Sequence, residues 1–501
     1  MFQPSRDEFL EYAKRGNLVP VFRELPADLE TPVSVYLKLR AGGNSFLLES
    51  VEGGEQIARY SFIGVNPARI IPLTPSPSPN GRGEFVCSPL PLGEGPGVRG
   101  DSLDLVRDAL KNYRAVSVPG LPRFTGGAVG FLAYDIVNQF ERVRTPRRQT
   151  KFDGDYQTYP LDDLPEAMFM LADTLIAFDH VKHRMLVIAN AHVNGDANHA
   201  YATATARINQ LCARLRQPLY PPMRDSVSNG FQLYSNVTRE RYCDMVRAAQ
   251  EHIAAGDIFQ VVLSQRFERE THAEAFEIYR ALRSLNPSPY MFFLDFGETQ
   301  FVGASPEMLA RLEDGVAQLN PIAGTRKRGA NDLEDAALAK ELCSDPKERA
   351  EHVMLVDLGR NDLGRVCEFG SVAVQDYATV ERYSHVMHLV SRVVGKLRGE
   401  FDAFDLVRAT FPAGTLSGAP KVRAMEIIDA LENASRGPYA GAVGYFGFPT
   451  EHTRGNMDLC ITIRTIVMRD NHAYIQAGAG IVADSIPENE YQECVNKAQA
   501  L

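Results

Sequence analysis

Apolar and polar positions alternate over short runs early in the chain: VSVYLKLR (33–40), SFLLES (45–50) and ARYSFIGV (58–65). A period of two, carried by β-branched and aromatic residues, predicts strands. The spacing then changes. Leu103, Leu105, Val106 and Leu110 share one helical face within 102–113, and 239–256 reads as an amphipathic helix closed by Gly256. Helices are also predicted over 273–285, 333–343, 347–355 and 421–431, and strands over 290–296, 300–304, 442–448, 459–468 and 473–477. Two glycine-punctuated apolar runs, TGGAVGFLAYD (125–135) and YAGAVGYFGF (439–448), echo one another and predict strands where backbone or ligand approaches closely. Helices and strands mix without a βαβ rhythm, so the expected class is α+β.

Two stretches interrupt this pattern. TPSPSPNGRGEFVCSPLPLGEGPGVRG (74–100) is more than half Pro, Gly and Ser and cannot bury enough apolar surface to offset its ordering entropy, so it reads as a surface loop, with a functional lid as the alternative. QPLYPPMRD (217–225), with three prolines, is the candidate linker. The expected division is therefore 1–225 and 226–501.

Composition narrows the function. In 501 residues, 53 Lys and Arg face 63 Asp and Glu, a net charge of −10, which argues against a nucleic-acid or anionic-membrane partner. Seven cysteines, an odd number without a CxxC pair, give no disulfide framework and no zinc spacing, and fit a reducing, cytoplasmic setting. The opening MFQPSRDEFLEYAKRG is too polar for a signal peptide, and the most apolar stretch, 167–178, is broken by Asp173, so no membrane span is expected.

Four strings could carry chemistry. Glu348 and Glu351 lie three apart in one predicted helix, as do Glu490 and Glu493 in another. Each pair shares a helix face, where like charges repel unless a cation such as Mg²⁺ sits between them; two solvated helix faces are the plain alternative. DLGRNDLGR (357–365) reads as structural ion pairing at a seam. PIAGTRKRG (321–329) offers Gly324, the Thr325 hydroxyl and three cations to an anion, or is a surface turn. QAGAGIVADS (476–485) reads as a glycine turn presenting amides. Arg464, placed within an apolar strand, needs an anionic partner.

Together, IFQVVLSQRF, GASPEML, PIAGTRKRG, EHVMLVDLGRNDLGR, TFPAGTLSGAPKVRAMEIID, GAVGYFG, CITIRT and QAGAGIVADS resemble, in order, the strings of the chorismate-utilising enzymes, and within them the anthranilate-forming large subunits. The resemblance spans 230–501 and, more loosely, 20–70 and 101–220. It implies a large mixed β-sandwich core with surrounding helices, the two regions sharing one intertwined core. It further implies Mg²⁺ held by Glu351 and Glu493, with Glu348 and Glu490 beside them. Chorismate would be held by Gly324, Thr325, Tyr439, Arg464, Gly478, Ala479 and Gly480, and the catalytic positions would be Glu307, His388, Gln260 and Thr325. Relatives that add water carry a lysine where Gln260 stands, and relatives making the 4-amino isomer for folate often carry one where Ala323 stands, so both positions point to anthranilate. That 4-amino activity and a non-catalytic regulatory subunit remain the alternatives. LLES with Glu49 and Ser50, and NPSPYM with Asn286, Pro289, Tyr290 and Met291, resemble a tryptophan feedback pocket. No glutaminase nucleophile turn is present, so the resemblance implies ammonia from a glutamine amidotransferase partner.

Overall fold

Aromatic and branched side chains from two sheets meet face to face: Phe22, Phe46, Phe62 and Phe292 on one side pack against Phe131, Val443 and Tyr445 on the other. The structure is a computed structural model that describes residues 1–51, 59–73, 75–76, 84–85, 101–141, 143, 151–152, 155–156, 160–219, 233–383 and 386–501. Of the 74–100 loop only a small ladder pairing Pro75 with Phe85 and Ser76 with Glu84 is described, and the linker beyond residue 219 lies outside the described residues. The larger sheet runs Leu18–Pro26, Arg184–His192, Thr174–Asp179, Tyr60–Val65, Ser45–Glu49, Tyr290–Asp295, Thr299–Ser305, Thr465–Arg469, His472–Ile481, Gln260–Glu270, Tyr234–Ser235. The second runs Ile322–Lys327, Val386–Lys396, Val316–Leu319, Met308–Glu313, Met457–Ile461, Ala442–Gly447, Gly127–Leu132, Ala167–Ala172, Arg69–Leu73. Both sheets draw strands from early and late in the chain, and the helices pack around them in an α+β sandwich.

The two echoing glycine runs are neighbours. Gly127–Leu132 pairs antiparallel with Ala442–Gly447, with Gly130 opposite Gly444. Their likeness therefore reflects one shared, closely packed environment at the sheet centre.

Three expectations are corrected. The 33–40 run is a helix, Pro32–Leu39, because Thr31 caps it, Pro32 opens it, and Pro32, Val35, Tyr36 and Leu39 form a buried stripe of helical period. Predicted strand 459–468 is two strands, Met457–Ile461 and Thr465–Arg469, interrupted at 462–464. Predicted helix 347–355 runs on to 364: Pro346–Gly364 absorbs DLGRNDLGR, starting where the Asp345 side chain accepts from the amides of Lys347 and Glu348. The charges of that string do pair, Arg360 with Asp357 on the same helix and Asp362 with Lys421 across the seam at 2.9 Å.

Candidate active site

Glu307 lies just beyond the Thr299–Ser305 strand, its carbonyl accepting from the Ile461 amide at 3.0 Å. Its carboxylate accepts from the Thr415 hydroxyl at 3.0 Å. Burial raises its pKa to about 7, against the opposing pull of the Thr415 hydrogen bond and the Arg464 charge. Such a carboxyl holds a proton near neutrality and can give it up, as a general acid must.

Arg464 is not within a strand. It occupies the interruption at 462–464 with φ +48°, a left-handed conformation uncommon for a side-chain-bearing residue, and lines the cavity beside Glu307. Burial lowers its pKa while the Glu307 charge opposes the shift, and among the described residues no carboxylate lies within ion-pair distance of it. The interruption has a second effect. Of the long strand His472–Ile481, Thr465–Arg469 pairs only with 472–475, so the stretch 476–481 is bonded to Gln260–Glu270 on one side and, among the described residues, has no strand on the other. QAGAGI is thus an open strand edge rather than a turn, and Gln476, Ala477, Gly478 and Gly480 line the cavity.

His388 sits in Val386–Lys396 opposite Thr325 of Ile322–Lys327. A bulge at Gly324, φ +68°, brings that carbonyl to 3.0 Å from His388 Nδ1, and Thr325 Oγ1 lies 3.1 Å from the same nitrogen. A carbonyl can only accept, so the network assigns the proton to Nδ1 and leaves a lone pair on Nε2. Burial lowers the His388 pKa, which keeps the ring neutral. PIAGT is accordingly a strand, and two of its neighbouring cations are taken: Arg326 pairs with Glu341, Asp345 and Glu348, and Arg328 with Asp335.

Tyr439 lines the same cavity, 5.6 Å from the buried Arg436 guanidinium. Arg436 in turn donates to both oxygens of Glu432 and to the carbonyls of Leu416 and Val262. Glu307, Gly324, Thr325, Glu351, His388, Tyr439, Arg464, Gly478 and Gly480 thus border one cavity of about 1090 Å³.

Two predicted contacts stand outside the lining. Ala479 turns into an apolar cluster with Val261, Leu263 and Ile481, as strand alternation requires. Gln260 is buried and hydrogen-bonds Glu351; its Nε2 would lie 2.7 Å from a Cβ at Gly480, which explains a glycine there. Gln260 therefore supports Glu351 from behind.

The four glutamates come from helices Pro346–Gly364 and Pro487–Gln499, and they sense each other's charge. Burial, then Glu348 and Glu493, raise the Glu351 pKa; burial, then Glu493, raise that of Glu490. Glu348 pairs with Arg326 at 3.1 Å and Glu493 with Lys497 at 2.7 Å. Among the described residues no three metal-ligating side chains are gathered into a ready cation site. The donor set nevertheless fits a hard divalent cation: all oxygens, from two helices, with Glu351 half-buried at the edge of the cavity.

The sequence pattern of the chorismate binding enzymes matches residues 50–501. The chain belongs to this family. It is 47% identical over 513 residues to anthranilate synthase component 1 of Acetivibrio thermocellus, covering 100% of this chain and 98% of that one. A crystal structure of anthranilate synthase component I from Streptococcus pneumoniae, 37% identical, superposes with a TM-score of 0.73 over 95% of this chain and 98% of that one. The menaquinone-specific isochorismate synthase of Escherichia coli, 19% identical with a TM-score of 0.69 over 99% of this chain and 97% of its own, shares the fold.

This chorismate-binding enzyme has a second hollow, of about 570 Å³, bordered by Glu49, Ser50, Pro289, Tyr290 and Met291. Glu49 is already held there by the Tyr279 hydroxyl and by Arg283 at 2.9 Å. Tyr290 donates to Asp458 at 3.0 Å, and Arg311 bonds both. Asn286 points elsewhere, donating to the Ala500 carbonyl.

Sequence reading missed Thr415, Gln476 and Lys497. Lys497 lies four residues after Glu493, one helical turn on, and its Nζ also donates to the Gly478 carbonyl at 3.0 Å, so the spacing carried the signal. Nothing local marked Thr415, whose role comes from Glu307, more than a hundred residues away in sequence.

Proposed function

We propose that this chain is the large subunit of a cytoplasmic anthranilate synthase. It converts chorismate and ammonia to anthranilate, pyruvate and water, the first committed step of tryptophan biosynthesis. The observation that carries this reading is Glu307, a carboxyl with a pKa of about 7, beside the unpaired Arg464. Chorismate carries two carboxylates and a ring hydroxyl that leaves poorly without a proton. Arg464 binds a carboxylate through charge-assisted hydrogen bonds, and Tyr439 with the open edge at Gly478 and Gly480 orients the ring. Ammonia adds at C2 as Glu307 protonates the hydroxyl departing from C4, which leaves as water. Neutral His388, its Nδ1 proton committed to the Gly324 carbonyl, then takes the C2 proton on Nε2; the ring becomes aromatic as the enolpyruvyl group is expelled and released as pyruvate. Thr325 keeps that ring in place.

Glu351 and Glu493, with Glu348 and Glu490, would hold Mg²⁺, which when bound neutralises a substrate carboxylate. Gln260, bonded to Glu351, offers no base to activate water, and Ala323 offers no amine for a covalent intermediate, which supports ammonia addition at C2. Ammonia comes from a glutamine amidotransferase partner, and tryptophan inhibits from the hollow at Ser50, Pro289 and Met291. Among the described residues no helix is long and apolar enough to cross a membrane.

Purified chain incubated with chorismate, Mg²⁺ and ammonium chloride should release anthranilate and pyruvate one to one, and EDTA should silence it. A 4-amino product, isochorismate, or no turnover would overturn the reading.

A further inference from the structure

Glu307 and Thr415, joined by their hydrogen bond, border the active-site cavity and also a further hollow of about 420 Å³, so the pair stands between the two. Helix Pro346–Gly364 forms one wall of that hollow. Glu348, Glu351, Leu355, Leu358 and Asp362 follow one another at spacings of three and four, so they share a helix face, and the last three border the hollow. The string DLGRNDLGR thereby reaches the far side of the catalytic acid. Asp362 is 6% exposed, and its Oδ2 accepts from Lys421 Nζ at 2.9 Å. Lys421 also donates to the Thr410 carbonyl at 3.0 Å, and Arg365 pairs with Glu141 at 3.1 Å. Burial raises the Asp362 pKa against the pull of Lys421 and Arg365. Among the described residues bordering the hollow, Asp362 and Glu307 are the only titratable ones. Asn320, Leu358 and Ala413 on its border are only half-buried, so solvent reaches it.

A general acid spends one proton in every turnover, and at that moment the active-site cavity is filled by the reacting ring. Replacement has to come from the acid's other side. A hydroxyl both donates and accepts, so Thr415 can pass its proton to the Glu307 carboxylate while taking another from water behind it. Asp362, Asn320 and Thr415 give such water its polar partners in an otherwise largely apolar hollow. We propose that this hollow is the proton-return route of Glu307, in which water carries a proton from Asp362 to the Thr415 hydroxyl and so to the acid. The balance closes: the departing hydroxyl takes one proton from Glu307, the nitrogen added at C2 sheds one to solvent as it becomes an amine, and Asp362 takes one from solvent. This rests on the reading of Glu307 as the acid of anthranilate formation. Asp362 acts through Glu307 and is a positioning residue for the returning proton.

The test follows anthranilate fluorescence by stopped flow with excess chorismate, Mg²⁺ and ammonium chloride, just below neutrality where resting Glu307 holds its proton. The full chain is compared with Asp362→Asn, which keeps the shape and an acceptor for Lys421. A second variant, Asp362→Asn with Lys421→Met, removes both charges so that neither is left buried alone. Both variants should form their first equivalent of anthranilate at the parent's rate, after which kcat falls about tenfold or more, with the chorismate and ammonium KM unchanged. Imidazole, a small proton donor, should restore the later turnovers, which a merely structural defect would not allow. A first turnover slowed as much as the rest, an unchanged kcat in the double variant, or a loss that imidazole leaves untouched overturns the proposal. A parent chain making no anthranilate from ammonium would instead overturn the functional reading beneath it.

Discussion

Around Tyr290, charged groups hold one another: Arg311 bonds Asp458 and Tyr290, and Arg283 with Tyr279 saturates Glu49. Around Glu307 they do not: Arg464 has no ion-pair partner among the described residues, and Glu307 is raised toward neutrality by burial. Unsatisfied charge is costly to fold, so where it persists a charged ligand is the natural partner. Satisfied charge leaves a hollow that binds by shape. One strand joins the two, for Met457–Ile461 carries Asp458 and Cys460 at the Tyr290 hollow and ends at Ile461, whose amide bonds Glu307.

The contrast breaks most sharply at Glu307. Glu307→Gln keeps the shape and removes the transferable proton, so kcat for anthranilate formation should fall by about 10²- to 10⁴-fold in steady-state assays, with the chorismate KM little changed. On the other side, Asp458→Asn leaves Arg311 buried without its counter-charge and should cost about 3–5 kcal/mol in urea unfolding, while the folded enzyme keeps its kcat.

A smaller effect comes from pH. Glu307 has a folded pKa raised from 4.5 to about 7, so its neutral form is the one the fold accepts. Its burden on stability is absent below pH 4.5, grows as pH rises from there, and is complete above about pH 7. Glu307→Gln should therefore melt above the parent at pH 8 and converge with it at acid pH by calorimetry. The parent's kcat, taken at constant free ammonia, should fall as pH rises through about 7.

What could be read from the chain was what its local pattern encodes. The spacing of Glu348 with Glu351 and of Glu490 with Glu493 foretold two helix faces, and the glycines of 125–135 and 439–448 foretold strands approached closely by backbone, though not that the two pair with each other. Pro32–Leu39 was lost because Val33, Val35 and Tyr36 favour strands, while the cap at Thr31 and a four-residue stripe decided otherwise. The site's electrostatics were least legible. Arg464 reaches the cavity wall where its strand breaks with a positive φ, and Gln260 has room beside Glu351 because position 480 is a glycine. Those are tertiary facts, fixed by residues far apart in sequence.

The most direct test of the contrast is a double dissociation by calorimetry, titrating chorismate and tryptophan separately into Arg464→Met and Ser50→Phe. The account predicts that Arg464→Met weakens chorismate about tenfold or more and leaves tryptophan binding intact, with the reverse for Ser50→Phe. One substitution weakening both ligands equally would contradict it.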